Sequence, residues 1–260
     1  PWEWHEELFS YARSLGLICF STPFDFSAVD FLEKLDNPIY KVASFEITDV
    51  PLIRYMAEKQ KPMIISTGIA ELADIELALK SCRDAGNTNI TLLKCTSSYP
   101  APLEEANLAT IPDMAKRFGV KVGLSDHTLG ITAPVVAVAF GAKVIEKHFI
   151  VDRSIGGADA SFSLEPKEFE AMVKAIREAE CAIGCVNYDL SPKVKASREF
   201  SRSLFAVEDI AKGEELSAKN IRSIRPGFGL HPKYYDEILG KKATKPLKRG
   251  APLEFGMFSY

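Results

Sequence analysis

The sequence predicts an α/β protein in which a (β/α) barrel precedes a small β-rich domain. Three observations support this fold class. Short apolar runs alternate with helical segments, polar side chains follow nearly every apolar run, and near residue 200 the pattern changes to short strands with clustered glycines. Strands that alternate with helices and lack a polar face form parallel sheets that helices cover on both sides.

Six runs rich in valine, isoleucine and leucine are the predicted strands, at residues 17–21, 40–44, 63–66, 90–95, 121–125 and 143–148. The segments between them repeat apolar residues at helical spacing, as at Leu72, Ile75 and Leu79, and a further helix is predicted over 166–181. This alternation alone allows a doubly wound open sheet or a closed barrel.

Polar residues at the strand ends favour the barrel. They are Ser21 and Thr22, Lys41 and Ser44, Ser66 and Thr67, Lys94 and Thr96, Ser125 to His127, and Glu146 to His148. A doubly wound sheet gathers its chemistry at one switch point, whereas a barrel arranges all strand ends around one pocket. A closed barrel has eight strands and this sequence opens in a helical segment. We therefore expect a (β/α)8 TIM barrel that lacks its first two strand–helix units in these 260 residues.

A polar stretch around Ser191-Pro192 separates the barrel from the β-rich domain, which holds short strands near 203–207 and 221–224 and the turn Arg225-Pro226-Gly227. The predicted organisation is a barrel domain over 1–185, a linker over 186–199 and a small domain over 200–260.

Composition excludes several classes of protein. The chain is 47% hydrophobic and 26% charged with a net charge of −3, which argues against sequence-independent binding to nucleic acid. No run approaches the ~20 apolar residues of a membrane helix. The five cysteines lack the spacing of a zinc site, and Cys181 and Cys185 lie four apart on the predicted last helix. We expect a cytoplasmic protein without nucleic-acid or membrane partners.

His127 and His148 are the sharpest chemical signal, because each follows one of two consecutive strands. Neighbouring parallel strands lie about 5 Å apart, so both imidazoles can reach one point above the barrel. Two neutral imidazoles with oxygen ligands and open positions suit a divalent ion such as Mn²⁺ or Zn²⁺. The alternative is that each histidine is a hydrogen-bonded structural residue.

Glu146 precedes His148 by two residues and therefore faces the same pocket. It is a candidate proton acceptor, or else half of an interior ion pair with Lys41 or Lys94. The cation of Lys41 and the hydroxyls of Ser44, Ser66 and Ser125 converge as a carboxylate or phosphate requires.

Three further candidates are weaker. Tyr99 follows a run of serines and fits polar recognition of a sugar, although a packed loop aromatic is as good an interpretation. Asp159 follows two glycines and is either a ligand contact or a simple turn residue. Arg225 is a bidentate donor on a glycine-flanked loop.

Ordered motifs along the whole chain resemble the sialic acid synthase family. They are Ser21-Thr22-Pro23-Phe24-Asp25, Tyr40-Lys41-Val42-Ala43-Ser44, Ile65-Ser66-Thr67-Gly68, Ser98-Tyr99-Pro100, Gly123-Leu124-Ser125-Asp126-His127 and Ile145-Glu146-Lys147-His148-Phe149. The tail, with Lys212-Gly213 and Arg225-Pro226-Gly227, resembles the antifreeze-like SAF domain of these synthases. Ser44-Phe45-Glu46, Lys94-Cys95-Thr96-Ser97 and the segment 228–233 are most similar to the pseudaminic acid synthase branch.

The resemblance implies a TIM barrel followed by a SAF domain. It implies condensation of phosphoenolpyruvate with an open-chain N-acetylated amino sugar, 2,4-diacetamido-2,4,6-trideoxy-altrose, to give a nine-carbon 2-keto acid and phosphate. The residues that match the family's phosphoenolpyruvate positions are Thr22, Lys41, Ser44, Ser66 and Ser125. Those that match its sugar positions are Tyr99 and Asp159.

The resemblance also implies a divalent metal, Mn²⁺ or Mg²⁺, on His127 and His148, and an acid/base or water-directing role for Glu146. It implies a domain-swapped homodimer in which Arg225 acts in the partner's site. The family's motifs on the first two barrel strands do not occur here, so we expect this chain alone to be poorly active. The alternatives are N-acetylneuraminate or legionaminate synthesis, another metal-dependent aldolase or phosphoenolpyruvate-condensing synthase, and non-catalytic sugar binding through the SAF domain.

Overall fold

The computed structural model describes residues 2–259, which form two compact units, one ending at Gly184 and the other beginning at Cys185. The larger unit alternates helices with strands: α1 His5–Ser14, α2 Phe26–Lys34, β1 Tyr40–Val42, α3 Val50–Ala57, β2 Met63–Ser66, α4 Leu72–Asp84, β3 Ile90–Cys95, α5 Thr110–Phe118, β4 Lys121–Asp126, α6 Thr132–Ala139, β5 Val144–Lys147 and α7 Pro166–Ile183. The sequence-based domain limits at 185 and 199 stay a prediction.

Local sequence explains where several helices begin and end. The Asp25 side chain accepts a hydrogen bond from the Ala28 amide at 2.8 Å and so caps the start of α2. Helices α4 and α7 each begin with a capping box, formed by acidic residues three positions apart. Helix α5 ends at Gly119, whose φ of 65° ordinary residues rarely adopt.

The five strands of the larger unit form one parallel sheet in the order β1-β2-β3-β4-β5. A doubly wound sheet reverses its strand order at a switch point, and this sheet has no reversal. Sequential parallel strands, each followed by a helix, are the arrangement of a (β/α) barrel. The predicted fold class is confirmed.

Alternation along the strands divides the side chains between two faces. One face carries Val42, Ile65, Leu92 and Leu124, which are buried in a single apolar cluster with residues of the helices. The opposite face carries a layer of polar side chains at the strand ends: Lys41, Ser66, Ser125 and Glu146. The same face also carries buried apolar residues, including Ile64 and Leu93.

The predicted strand at 17–21 is wrong. Residues 17–23 have no regular secondary structure, and Leu17 and Ile18 are exposed. The Ser21 amide donates to the Asn37 side chain at 3.2 Å instead of to a neighbouring strand. The strand predicted at 40–44 ends at Val42, because Ser44–Glu46 forms a 3₁₀ turn.

The smaller unit contains α8 Pro192–Ala196, β6 Ser203–Ala206, β7 Ile221–Ile224 and α9 Tyr235–Ile238. Strands β6 and β7 are antiparallel and contribute to a separate apolar core that includes Leu204, Ile221 and Leu253. The prediction that Cys181 and Cys185 lie on one helix is wrong. Helix α7 ends at Ile183, and Gly184 with a φ of 51° turns the chain before Cys185.

Within residues 2–259, none of the helices combines the length and apolar character needed to cross a membrane.

Candidate active site

A cavity of about 280 Å³ lies at the C-terminal ends of the parallel strands. It gathers most of the residues that the sequence singled out for chemistry: Thr22, Lys41, Ser44, Ser66, Tyr99, Ser125, His127, Glu146 and His148. Ala43 and Cys95 complete the lining. A larger cavity of about 560 Å³ lies beside residues 98–104, but its lining is mainly proline, alanine and leucine, with Glu104 as its one ionisable side chain. Chemistry rather than size therefore identifies the site.

Lys41 supplies a buried cation to this cavity. Its Nζ donates to Ser66 Oγ at 2.8 Å and to the Val42 carbonyl at 2.9 Å, and lies 3.7 Å from Glu146 Oε2. Burial lowers the pKa of Lys41, and the nearby Glu146 carboxylate offsets part of that effect. A second anion in the cavity would stabilise the protonated amine further.

Glu146 joins the cation to the hydroxyls. Its Oε1 accepts a hydrogen bond of 2.6 Å from Ser125 Oγ, the residue directly opposite on β4. The ion pair with Lys41 that the sequence allowed is therefore present. Lys94 is not part of it, because its ammonium donates to the Cys95 carbonyl at 2.8 Å and to Thr96 Oγ1 at 3.2 Å. The Glu146 side chain is still 40% exposed, so the pair leaves it reachable from the cavity.

The imidazoles of His127 and His148 face each other with ring centroids 5.2 Å apart. His127 Nδ1 lies 3.0 Å from the Thr96 carbonyl. A carbonyl can only accept, so Nδ1 carries the hydrogen and Nε2 keeps a free lone pair. Burial lowers the pKa of His127, which favours the neutral ring. His148 Nδ1 lies 3.6 Å from Asp159 Oδ2.

This donor set fits a divalent cation that takes two ligands from the protein. Both imidazoles face the same cavity, and the tautomer of His127 leaves one nitrogen available as a ligand. Among residues 2–259, His, Cys, Asp and Glu side chains do not come together in a group of three that could hold a metal. Water or substrate oxygens would therefore have to complete the coordination.

Two aromatic rings brace the histidines. The Tyr99 ring lies 4.4 Å from that of His127, and the Phe162 ring lies 4.9 Å from that of His148, between centroids. Phe162 is buried and also contacts Tyr99 at 5.7 Å. The sequence did not single out Phe162, because an isolated phenylalanine in a 3₁₀ turn has the appearance of an ordinary core residue.

The hydroxyl groups of Ser44 and Ser97 lie next to Gly68. Ser44 Oγ is 2.8 Å from Ser97 Oγ and accepts the Ile69 amide at 3.1 Å. A Cβ atom at Gly68 would lie 2.1 Å from Ser97 Oγ and 2.5 Å from Ser44 Oγ, so only glycine fits here. Ser97 was missed in the sequence because it lies within a run of similar residues.

The remaining candidates are placed differently. Asp159 does not line the cavity but approaches it through His148. Arg225 follows β7 in the smaller unit and is exposed. The structure thus brings together the predicted residues of the larger unit except Asp159, and Arg225 belongs to the other unit.

Comparisons with known proteins show which family this chain is similar to. A model of the NeuB family matches residues 1–188, and a model of the SAF domain matches residues 201–259. Pseudaminic acid synthase from Campylobacter jejuni subsp. jejuni serotype O:2 is 48% identical over 258 residues, which are 99% of this chain and 75% of that protein. Pseudaminic acid synthase from Helicobacter pylori is 48% identical over 254 residues, 97% of this chain and 75% of that one. The crystal structure of spore coat polysaccharide biosynthesis protein SpsE from Bacillus subtilis superposes with a TM-score of 0.68 at 35% identity, covering 100% of this chain and 78% of that one.

Proposed function

This chain belongs to the NeuB family, and on that premise we propose that it is a pseudaminic acid synthase. The reaction is condensation of phosphoenolpyruvate with 2,4-diacetamido-2,4,6-trideoxy-altrose in its open-chain form. The observation that carries the proposal is one cavity holding a buried cation, a carboxylate and two facing imidazoles. An anionic three-carbon reactant and an aldehyde sugar need these groups together.

Lys41 and its hydroxyl neighbours bind phosphoenolpyruvate in this proposal. The Lys41 ammonium already donates to Ser66, and Ser125 lies across the cavity on β4. A buried ammonium and hydroxyl donors are the groups that recognise carboxylate or phosphate oxygens. Thr22 and Ser44 line the same space, although the Ser44 hydroxyl is also engaged by Ile69 and Ser97.

The imidazoles of His127 and His148 contribute to binding and activation of the sugar in this proposal. A divalent cation on His127 and His148, Mn²⁺ or Mg²⁺, would supply the positive charge that polarises the aldehyde. Tyr99 stands beside His127 and Asp159 beside His148, where their oxygens can contact sugar hydroxyl or acetamido groups. Neutral His127, favoured by its lowered pKa, keeps its free lone pair for this task.

The bonds and protons balance as follows. C3 of phosphoenolpyruvate forms a bond to the aldehyde carbon, and the aldehyde oxygen takes up a proton. Water adds to C2 and gives one proton to Glu146, which the Ser125 hydrogen bond holds at the cavity. Glu146 returns that proton to solvent, which is the source of the proton taken up by the aldehyde oxygen. The C–O bond to phosphate then breaks as the C2 hydroxyl proton leaves with it. The products are one 2-keto acid and one phosphate.

The assembly and domain limits belong to the same proposal. We propose a barrel domain over 1–185, a linker over 186–199 and a SAF domain over 200–260. We also propose a domain-swapped homodimer in which Arg225 serves the partner's site. Its guanidinium is exposed on a turn and is chemically suited to an anionic or hydroxyl-rich ligand. The five cysteines are free, which is typical of the reducing cytoplasm and supports that location.

A phosphate-release assay tests the function. The chain is incubated with phosphoenolpyruvate, Mn²⁺ and, in separate reactions, altrose-, mannose- and legionaminate-type amino sugars. Binding of phosphoenolpyruvate is measured beside turnover by calorimetry, because the chain spans 75% of the length of its curated relatives. We expect the unmodified chain to bind phosphoenolpyruvate, and to release phosphate slowly but faster with the diacetamido-altrose than with the other sugars.

His127→Ala is the first variant for this assay. In a synthase it should bind phosphoenolpyruvate but not release phosphate. Phosphate release only with mannose- or legionaminate-type sugars would instead assign the chain to N-acetylneuraminate or legionaminate synthesis. The proposal would be contradicted if the parent chain releases no phosphate and His127→Ala binds sugar as well as the parent chain does. Those two results would point to a non-catalytic sugar-binding protein.

A further inference from the structure

A buried ion pair lies directly behind the two histidines. Lys147 Nζ is 2.6 Å from Asp126 Oδ2, and the two side chains are 1% and 2% exposed. The same ammonium donates to the Thr128 carbonyl, and the Thr128 amide donates to Asp126 Oδ1 at 3.0 Å. Two donor groups and three acceptor oxygens thus form three hydrogen bonds within one small volume. None of these groups takes part in the chemistry described above.

Stability alone is a weak reason for such a pair. Removing two charges from water is costly, and apolar residues of similar volume in the same place are often as stable. The other recognised use of a buried charge pair is to select one arrangement of the chain over its alternatives. The position of this pair shows which arrangement that would be.

Asp126 and Lys147 are the last paired residues of β4 and β5. The next residue on each strand is a histidine, and the following Thr128 is held by the same ammonium. His127 is therefore fixed on both sides, through Asp126 and Thr128, to the strand that carries His148. Because side chains alternate between faces, the ion pair lies on the helix-covered face while the imidazoles reach the cavity.

We propose that Asp126 and Lys147 are positioning residues that set the separation of the His127 and His148 imidazoles. This inference rests on the proposed function in so far as those rings share one cation. Without the pair, β4 and β5 would keep the backbone hydrogen bonds between them. They would lose the side-chain contact that joins their ends just before the two histidines. The rings, now 5.2 Å apart between centroids, would then sample larger separations.

The test compares the double variant Asp126→Asn/Lys147→Met with the parent chain. The double change removes both charges together, so it avoids stranding one of them in the interior. Two quantities are measured: Mn²⁺ affinity by electron paramagnetic resonance titration, and the nuclear Overhauser effect between the two imidazoles in the metal-free chain. We expect Mn²⁺ affinity to fall about tenfold or more, as for other supports of metal ligands, and the ring-to-ring signal to weaken.

Lys61→Met is the matched control. Its ammonium pairs with Glu33 at 2.6 Å, is also partly shielded, and does not line the cavity. We expect it to change thermal stability without changing either site measurement. If the double variant does not fold, Asp126→Asn alone is measured. Asparagine keeps the shape of the side chain and the acceptor for the Thr128 amide. The expected loss of Mn²⁺ affinity is then about threefold.

Three outcomes would contradict the inference in different ways. A folded double variant with parental affinity and ring-to-ring signal makes the pair structural only. An equal loss of affinity in Lys61→Met makes the effect general. If the parent chain itself binds no Mn²⁺, the proposed metal centre fails, and the metal-free ring signal still decides whether the pair positions the histidines.

Discussion

Lys41 Nζ and Glu146 Oε2 lie 3.7 Å apart, although they belong to the two outermost strands of the sheet. In a flat sheet these strands, four steps apart, would be about 19 Å from each other. The contact therefore requires the sheet to curl until its outer strands face each other across the cavity. The curl places a cation and a carboxylate from opposite sides of the barrel against the same ligand space.

Replacing the cation should weaken phosphoenolpyruvate binding. Lys41→Met keeps the length of the side chain but removes the ammonium that Ser66 accepts. Hydrogen bonds to charged groups contribute about 1.5–3 kcal/mol, so the dissociation constant should rise about tenfold to a hundredfold. Calorimetric titration with phosphoenolpyruvate measures it. Lys94→Met is the matched control, since that ammonium is also partly buried but lies outside the cavity lining; equal losses in both variants would refute the assignment.

Phosphoenolpyruvate affinity should decline in alkaline solution. Burial lowers the pKa of Lys41 from its ordinary value of 10.5, so the ammonium deprotonates earlier than an exposed lysine does. The phosphate group has completed its own ionisation near pH 7, and it does not contribute to a change above pH 8. Binding is therefore expected to be strongest near neutrality and to weaken as the pH rises, with a midpoint below 10.5.

The control for this pH dependence is Lys41→Arg, whose guanidinium stays protonated throughout. Dissociation constants measured from pH 7 to pH 10 should be flat in that variant and should rise in the parent chain. A parallel rise in both would show that some other group titrates.

Removing the Glu146 charge should separate turnover from binding. Glu146→Gln keeps an acceptor for Ser125 but cannot take a proton from water. Turnover should fall about a hundredfold or more, the usual contribution of a positioned base. Phosphoenolpyruvate should bind as tightly or more tightly, because the negative charge beside Lys41 is gone. Phosphate release and calorimetry give the two quantities, and Glu33→Gln is the control, because that carboxylate lies on α2 and does not line the cavity. Full turnover in Glu146→Gln would leave the residue as a structural ion-pair partner.

Gly68 should not tolerate a side chain. Alanine there would place a methyl group 2.1 Å from Ser97 Oγ and 2.5 Å from Ser44 Oγ, and Ser44 lines the site. Overpacking of this kind costs about 1–3 kcal/mol of unfolding free energy. We expect lower thermal stability together with weaker phosphoenolpyruvate binding. The double variant Gly68→Ala/Ser97→Gly removes the closest contact and should recover part of both; no recovery would indicate that strain arises elsewhere.

Strands flanked by partners were predictable from local sequence. The predicted limits of the second and third parallel strands, 63–66 and 90–95, agree with the structure because each segment is rich in isoleucine, leucine or methionine. The run at 17–21 is similarly apolar but forms no strand in the structure, and its Ser21 amide donates to the Asn37 side chain instead. Strand formation depends on a neighbour as well as on composition, and composition does not show whether a neighbour is present.

Some residues of the candidate site could likewise be predicted from the sequence, and others could not. Lys41, His127 and Glu146 were predictable because strand ends in a barrel point to one place. Phe162 was not, since its contact with His148 depends on how the irregular segment after β5 folds back. The pairing of Asp126 with Lys147 needed the strand register, which single-strand patterns do not contain.

Lys41 and His148 line the same cavity but are buried to different degrees. A molecule held by Lys41, whose side chain is 6% exposed, sits deeper than one held at His148, which is 33% exposed. A sugar held at His148 would therefore be expected to obstruct the approach of phosphoenolpyruvate to Lys41. Substrate addition is thus expected to follow a compulsory sequence, phosphoenolpyruvate ahead of the sugar, and initial-velocity kinetics with a dead-end sugar analogue would reveal that sequence as uncompetitive inhibition towards phosphoenolpyruvate.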